Sequence, residues 1–240
     1  MALPAVCGAS GPGLGLAASP PSRYGAAVTR RGLARTWFGL TALVVVVGLA
    51  VQLVVTGRTT GGFYPSNPQR LFNTFAYFTV QSNVLVGLTS LWLALRPEPG
   101  SALQRTLRLA GLVGIAVTGV VFHVALRQLQ DLKGAAATAD LLLHTASPLL
   151  CVIGWLLLGP RGGLGRRIVL WSLAFPLAWL AFTLIRGPLV GFWPYPFLDV
   201  DVLGWGRVLL NCALVAVLFT GLAAGASRLD RALPGIRRSS

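Results

Sequence analysis

Six stretches of the chain stay apolar over the roughly 20 residues that a helix, rising about 1.5 Å per residue, needs to cross a hydrocarbon core of about 30 Å. They run over 36–56, 75–95, 106–126, 139–158, 168–185 and 205–225. In lipid every backbone N–H and C=O must find its partner inside the protein, which leaves helices or a closed barrel, and runs of this length select helices. The expected fold is an all-α integral membrane protein, a bundle of six transmembrane helices within residues 35–227. Residues 1–34, rich in Gly, Ala, Ser and Pro, read as a disordered tail and 228–240 as a basic one. Pro148 and Pro176 fall inside the fourth and fifth stretches, where neighbouring helices can satisfy the carbonyls they free.

The formal charge of +14 would suggest nucleic acid if the basic residues formed one patch, but they sit in short clusters between apolar runs. Of the 20 Lys and Arg, only Arg58, Arg70, Arg127, Lys133, Arg186 and Arg207 fall on one side of the bundle, and the other fourteen fall on the opposite side. Basic residues collect in cytoplasmic loops, so both termini are expected in the cytoplasm of a multi-pass cell-membrane protein. No nucleic-acid partner is expected. The Gly-rich loop 159–167 has no Lys-Ser/Thr ending and follows no strand, so it reads as an inside loop with basic anchors. The spacing Gly221-x-x-x-Gly225 suits close helix packing. Cys7, Cys151 and Cys212 lack the spacing of a metal site or a disulfide framework, and neither a metal nor a cofactor is expected.

Polar side chains inside spans are costly and usually mark a site. With the orientation set by charge, Thr79, Ser82 and Asn83 lie in the outer half of the second span, and Thr79 and Asn83 share a face. His144 lies at a similar depth in the fourth span, with Asp140 one turn above it. His123 ends the third span and Arg186 the fifth on the same side, so at least four helices contribute to one layer. A neutral imidazole within reach of a threonine hydroxyl can take its proton as the oxygen attacks an acyl carbon. Asp140 has the spacing to fix the ring tautomer, or to form a solvated pair at the membrane surface. Pro148 has no N–H for the carbonyl of His144, which predicts a local distortion of the helix beside the histidine. Two other readings fit the same residues: a haem held by His123 and His144 as axial ligands, and a non-enzymatic lipid binder or small transporter.

Three short motifs, in this order along the chain, resemble the androgen-induced family of membrane proteins and their bacterial six-span relatives. They are Phe78-Thr79 followed by Ser82-Asn83, LLHTASPLL around His144, and FWPYPFLD over 192–199. With the six-span plan the resemblance covers about residues 36–225. It implies a threonine-type lipid hydrolase that cleaves fatty acid esters of hydroxy fatty acids, with Thr79 as nucleophile and His144 as essential histidine. Trp193 and Tyr195, in the third motif, are expected in a lid over the pocket at the interface. The implied partner is a membrane lipid substrate, and the oligomeric state is left open.

Overall fold

The computed structural model describes residues 23–98, 100–129 and 131–233. The helices are α1 (Arg23–Arg58), α2 (Asn67–Thr74), α3 (Phe78–Leu95), α4 (Ala102–Val121), α5 (Gly134–Leu141), α6 (Ser147–Leu158), α7 (Arg166–Ser172), α8 (Ala174–Val190) and α9 (Val200–Ala232). Single π-helical turns, Phe122–Leu126 and Leu142–Ala146, extend α4 and join α5 to α6. The result is six stretches long and apolar enough to cross a membrane: Thr29–Arg58, Phe78–Leu95, Ala102–Leu129, Gly134–Leu158, Arg166–Val190 and Val200–Ala232. The chain is an all-α integral membrane protein built as a six-helix bundle.

The ends differ from the sequence reading. Helix α1 begins at Arg23, so residues 23–34 are helical, while the rest of the expected tail, 1–22, lies outside the described residues. Helix α9 runs on to Ala232, so the start of the expected basic tail belongs to the last span; 234–240 lie outside the described residues. Asp230, within that part of α9, is buried. Its Oδ2 accepts the backbone N–H groups of Gly162, Gly163 and Leu164 at 3.0, 2.9 and 3.0 Å. The loop between α6 and α7 is therefore clamped by one carboxylate as well as carrying basic anchors.

Helix α4 is the axis of the bundle. Its N-terminus is fixed by a capping box between Ser101 and Gln104, and its middle from Leu109 to Gly119 is almost wholly buried. Two glycines of α4 permit close approaches beside the polar layer: a Cβ on Gly114 would stand 2.9 Å from Ser82 Oγ, and one on Gly119 would stand 3.2 Å from Pro148 Cβ. By contrast a Cβ on Gly221 or Gly225 would meet nothing within 4 Å, so that pair carries no helix contact among the described residues. Helices α8 and α9 both face α4 yet touch each other little, and most of their length faces outward.

Candidate active site

The span expected over 75–95 is broken. Helix α2 ends at Thr74, Tyr77 is extended with ψ 132°, and α3 starts at Phe78. No Gly or Pro marks the break; side chains compensate it instead. Gln81 Nε2 donates to the Phe75 carbonyl and Trp179 Nε1 to the Ala76 carbonyl, both at 2.9 Å. The break makes Thr79 the second residue of a helix, where a backbone N–H has no partner within the helix. That N–H donates to the Tyr195 hydroxyl at 3.2 Å.

The fourth span is distorted where Pro148 requires it. The Ser147 N–H reaches back five residues to the Leu142 carbonyl, giving the π turn Leu142–Ala146, and His144 is at its centre. Asn83 ties this turn to α3, since its Nδ2 donates to the carbonyls of Thr79 at 2.9 Å and Leu143 at 3.2 Å. The outcome is contact between the two sequence-expected residues: His144 Nε2 lies 3.3 Å from Thr79 Oγ1, at the long end of a hydrogen bond. On the other side of the ring, His144 Nδ1 stands 2.9 Å from Asp140 Oδ1. That contact lies off the ring N–H direction, so Asp140 acts on the imidazole by charge more than by an aligned hydrogen bond. Phe122, in the other π turn, stacks on the ring at 4.2 Å with an 18° tilt.

The Tyr195 hydroxyl also lies 3.2 Å from Thr79 Oγ1. Burial pushes this phenol up to about 12, with its hydrogen bonds to Thr79 opposing the rise, so it keeps its proton throughout the neutral range. Thr79, His144 and Tyr195 together form one end of a cavity of about 150 Å³. Its walls are apolar and come from α4, α8 and α9, including Val117, Leu177, Val215 and Phe219.

The remaining expected residues occupy other positions. Ser82 is buried against Gly114 and does not line the cavity. His123 is exposed, with Nε2 3.2 Å from Thr145 Oγ1. Arg186 donates to the Tyr64 hydroxyl at 2.6 Å and to Asn73 Oδ1 at 2.8 Å, binding the α1–α2 loop to α8 and not the reacting pair. Trp193 covers Gly187 and donates to Asp201 Oδ2 at 2.8 Å. Phe122 was not anticipated; its neighbour His123 held the polar signal, and the π turn presents the phenyl ring to His144 instead.

A hydroxyl with an imidazole at 3.3 Å, a carboxylate behind that imidazole and a protonated phenol beside the hydroxyl is suited to nucleophilic attack on an acyl carbon. No protein-family model matches the chain, and comparisons with curated proteins and with solved structures return no match.

Proposed function

We propose that the chain is an intramembrane hydrolase that cleaves the ester bond of an acylated lipid. The observation that carries this reading is the 3.3 Å contact between Thr79 Oγ1 and His144 Nε2 in the lining of an apolar cavity. In the first half-reaction the Thr79 proton passes to His144 Nε2 as Oγ1 bonds to the ester carbon, and the carbonyl electrons move onto its oxygen. The intermediate collapses, the ester C–O bond breaks, and the proton on His144 goes to the departing alkoxide. Water then attacks the acyl-threonine with His144 again accepting a proton, which releases the fatty acid and restores Thr79.

The developing oxyanion has two sources of stabilisation within reach of Thr79. One is a hydrogen-bond donor, the Tyr195 phenol; the other is the dipole of the α3 N-terminus, which favours negative charge without a free N–H, since the Thr79 N–H is already bonded to Tyr195. Asp140 supports the imidazolium that forms in each half-reaction. The cavity suits an acyl chain, and the gap between α8 and α9 offers that chain a sideways route from lipid. The charge count supports cytoplasmic termini and hence a site in the outer half of the membrane. The resemblance to the androgen-induced family supports fatty acid esters of hydroxy fatty acids as the substrate class. A haem between His123 and His144 has less support, because both nitrogens of His144 already face side chains and His123 Nε2 faces Thr145.

The test is hydrolysis of a fluorogenic long-chain ester by the purified chain in detergent. Thr79→Ala abolishes turnover and His144→Ala lowers it by about 10²- to 10⁴-fold, each leaving the melting curve in place, and Thr79→Ser, which keeps the hydroxyl, retains measurable turnover. Undiminished turnover in both alanine variants overturns the assignment.

A further inference from the structure

A second cavity, of about 350 Å³, opens at the opposite end of α3 from Thr79, between the end of α3 and the start of α4. Sixteen residues of helix separate Thr79 from Leu95, about 24 Å at 1.5 Å per residue, so the two cavities sit near opposite faces of the bundle. One part of the wall is apolar and lipid-facing, with Leu88, Leu91 and Leu95 half or more exposed. The other part is charged, with Arg105 and Arg108 from the first two turns of α4.

The arginines are incompletely satisfied. Arg108 Nη1 donates to the Pro160 carbonyl at 3.2 Å, but its Nη2 and the Nε of Arg105 are buried with no hydrogen-bond partner among the described residues. Nearby acids are already engaged. The Oδ2 of Asp230 accepts three backbone N–H groups, and Glu98, at the rim, is half exposed and 3.8 Å from Arg31. Those two nitrogens pack on the α6–α7 loop, but the rest of the Arg105 guanidinium makes no hydrogen bond among the described residues, and a phosphate oxygen is the acceptor its fork geometry fits best. A free anion would satisfy the arginines and leave the leucine wall bare. A diacyl phospholipid satisfies both, with its phosphate on the guanidinium groups and one chain along α3. Basic pockets between spans hold lipid head groups in this way.

We propose that this cavity binds one phospholipid, with its phosphodiester on Arg105 and Arg108 and an acyl chain against Leu88, Leu91 and Leu95. The proposal is independent of the hydrolase reading and concerns the arginine-rich face, away from Thr79 and His144.

Native mass spectrometry of the full chain released from detergent tests it, with palmitoyl-oleoyl phosphatidylglycerol as probe. The expected result is one retained phosphatidylglycerol, not displaced by inorganic phosphate and not replaced by a diacylglycerol of the same chains. Arg105→Gln weakens retention about tenfold, the effect of one charge-assisted hydrogen bond. Leu88→Trp, which fills the apolar wall and leaves both arginines in place, weakens it as well, and melting curves without added lipid verify that each variant is folded. Displacement by inorganic phosphate overturns the lipid assignment in favour of a simple anion site. Equal retention of diacylglycerol overturns the role of the phosphate, and retention unchanged in both variants overturns the location.

Discussion

Tyr195 and Thr79 meet through a single phenolic oxygen, which accepts the Thr79 backbone N–H at 3.2 Å and lies 3.2 Å from Thr79 Oγ1. The contact joins the α8–α9 loop to the first turn of α3, so the loop positions Thr79 as well as covering it. The Tyr195 ring stacks on Phe197 at 5.3 Å with a 10° tilt, which holds the phenol in place independently of its hydroxyl.

Tyr195→Phe keeps that stacking and removes only the hydroxyl. Turnover of a lipid ester should fall by about 10²- to 10³-fold, the effect of losing one oxyanion donor, while Thr79 remains in its helix. The variant also lacks a pH effect. Burial raises the phenol from an ordinary value of 10.0 to about 12, so the folded state holds this proton more tightly than the unfolded chain. The associated stability is present below pH 10.0 and is lost as pH rises toward about 12. Melting curves across that window should fall more steeply for the wild type than for Tyr195→Phe.

Asp140 is partly exposed and meets His144 Nδ1 at 2.9 Å without an aligned ring hydrogen bond. Its replacement should therefore cost less than loss of the base. His144→Ala removes about 10²- to 10⁴-fold of rate, the range for a general base, and Asp140→Asn should remove only the lower part of it, about tenfold to 10²-fold. Steady-state kcat for the two variants on one ester substrate decides the ranking. Equal losses would give Asp140 the weight of a full triad member.

The number of spans was legible because hydropathy over 20 residues is a property of the segment, whatever its neighbours. The shared layer of Thr79 and His144 followed from their positions near the ends of neighbouring spans, because distance from a span's end fixes depth along a helix. Depth does not fix rotation about the helix axis, so Arg186 and His123 share the layer and face Tyr64, Asn73 and Thr145 instead of the reacting pair. The break at Phe75–Tyr77 left no mark because its carbonyls are satisfied by Gln81 and Trp179, one of them 103 positions away. Tyr195 belonged to a visible motif, yet its contact with Thr79 spans 116 positions and comes from the path of a loop. The glycine spacing at Gly221 and Gly225 suggested a contact that α9 does not make among the described residues, while Gly114 and Gly119 allow close approaches to α4.

Asp230 supplies the acceptor for three consecutive loop N–H groups and sits buried next to the arginine-rich loop. Asp230→Ala leaves those donors without a partner and the surrounding positive charge uncompensated. Stability should fall by about 3 kcal/mol, the low end for breaking a buried charge interaction. Asp230→Asn keeps a carbonyl acceptor and should lose about half as much. Thermal or denaturant melts in detergent measure both, and turnover per folded molecule should stay constant because the loop lies at the far end of the bundle from Thr79.

Pro148→Ala separates the role of the π turn from the chemistry of its side chains. The new N–H can donate to the His144 carbonyl four residues back, which is the bond that Pro148 denies, so the turn at Leu142–Ala146 can relax to a regular α-helix. Removing a π turn rotates everything on one side of it by about 100°, the angle per residue of a helix with 3.6 residues per turn. Asn83 fixes α3 to the Leu143 carbonyl, so the rotation is absorbed at His144, which turns away from Thr79 and from the Phe122 ring. Turnover should drop by about 10²-fold, the scale for misplacing a catalytic group by an ångström, with a melting temperature equal to or above the wild type. A variant that is as active as the wild type, with faster-closing amides around residue 144 in hydrogen exchange, would show that the π turn does not set the position of the base.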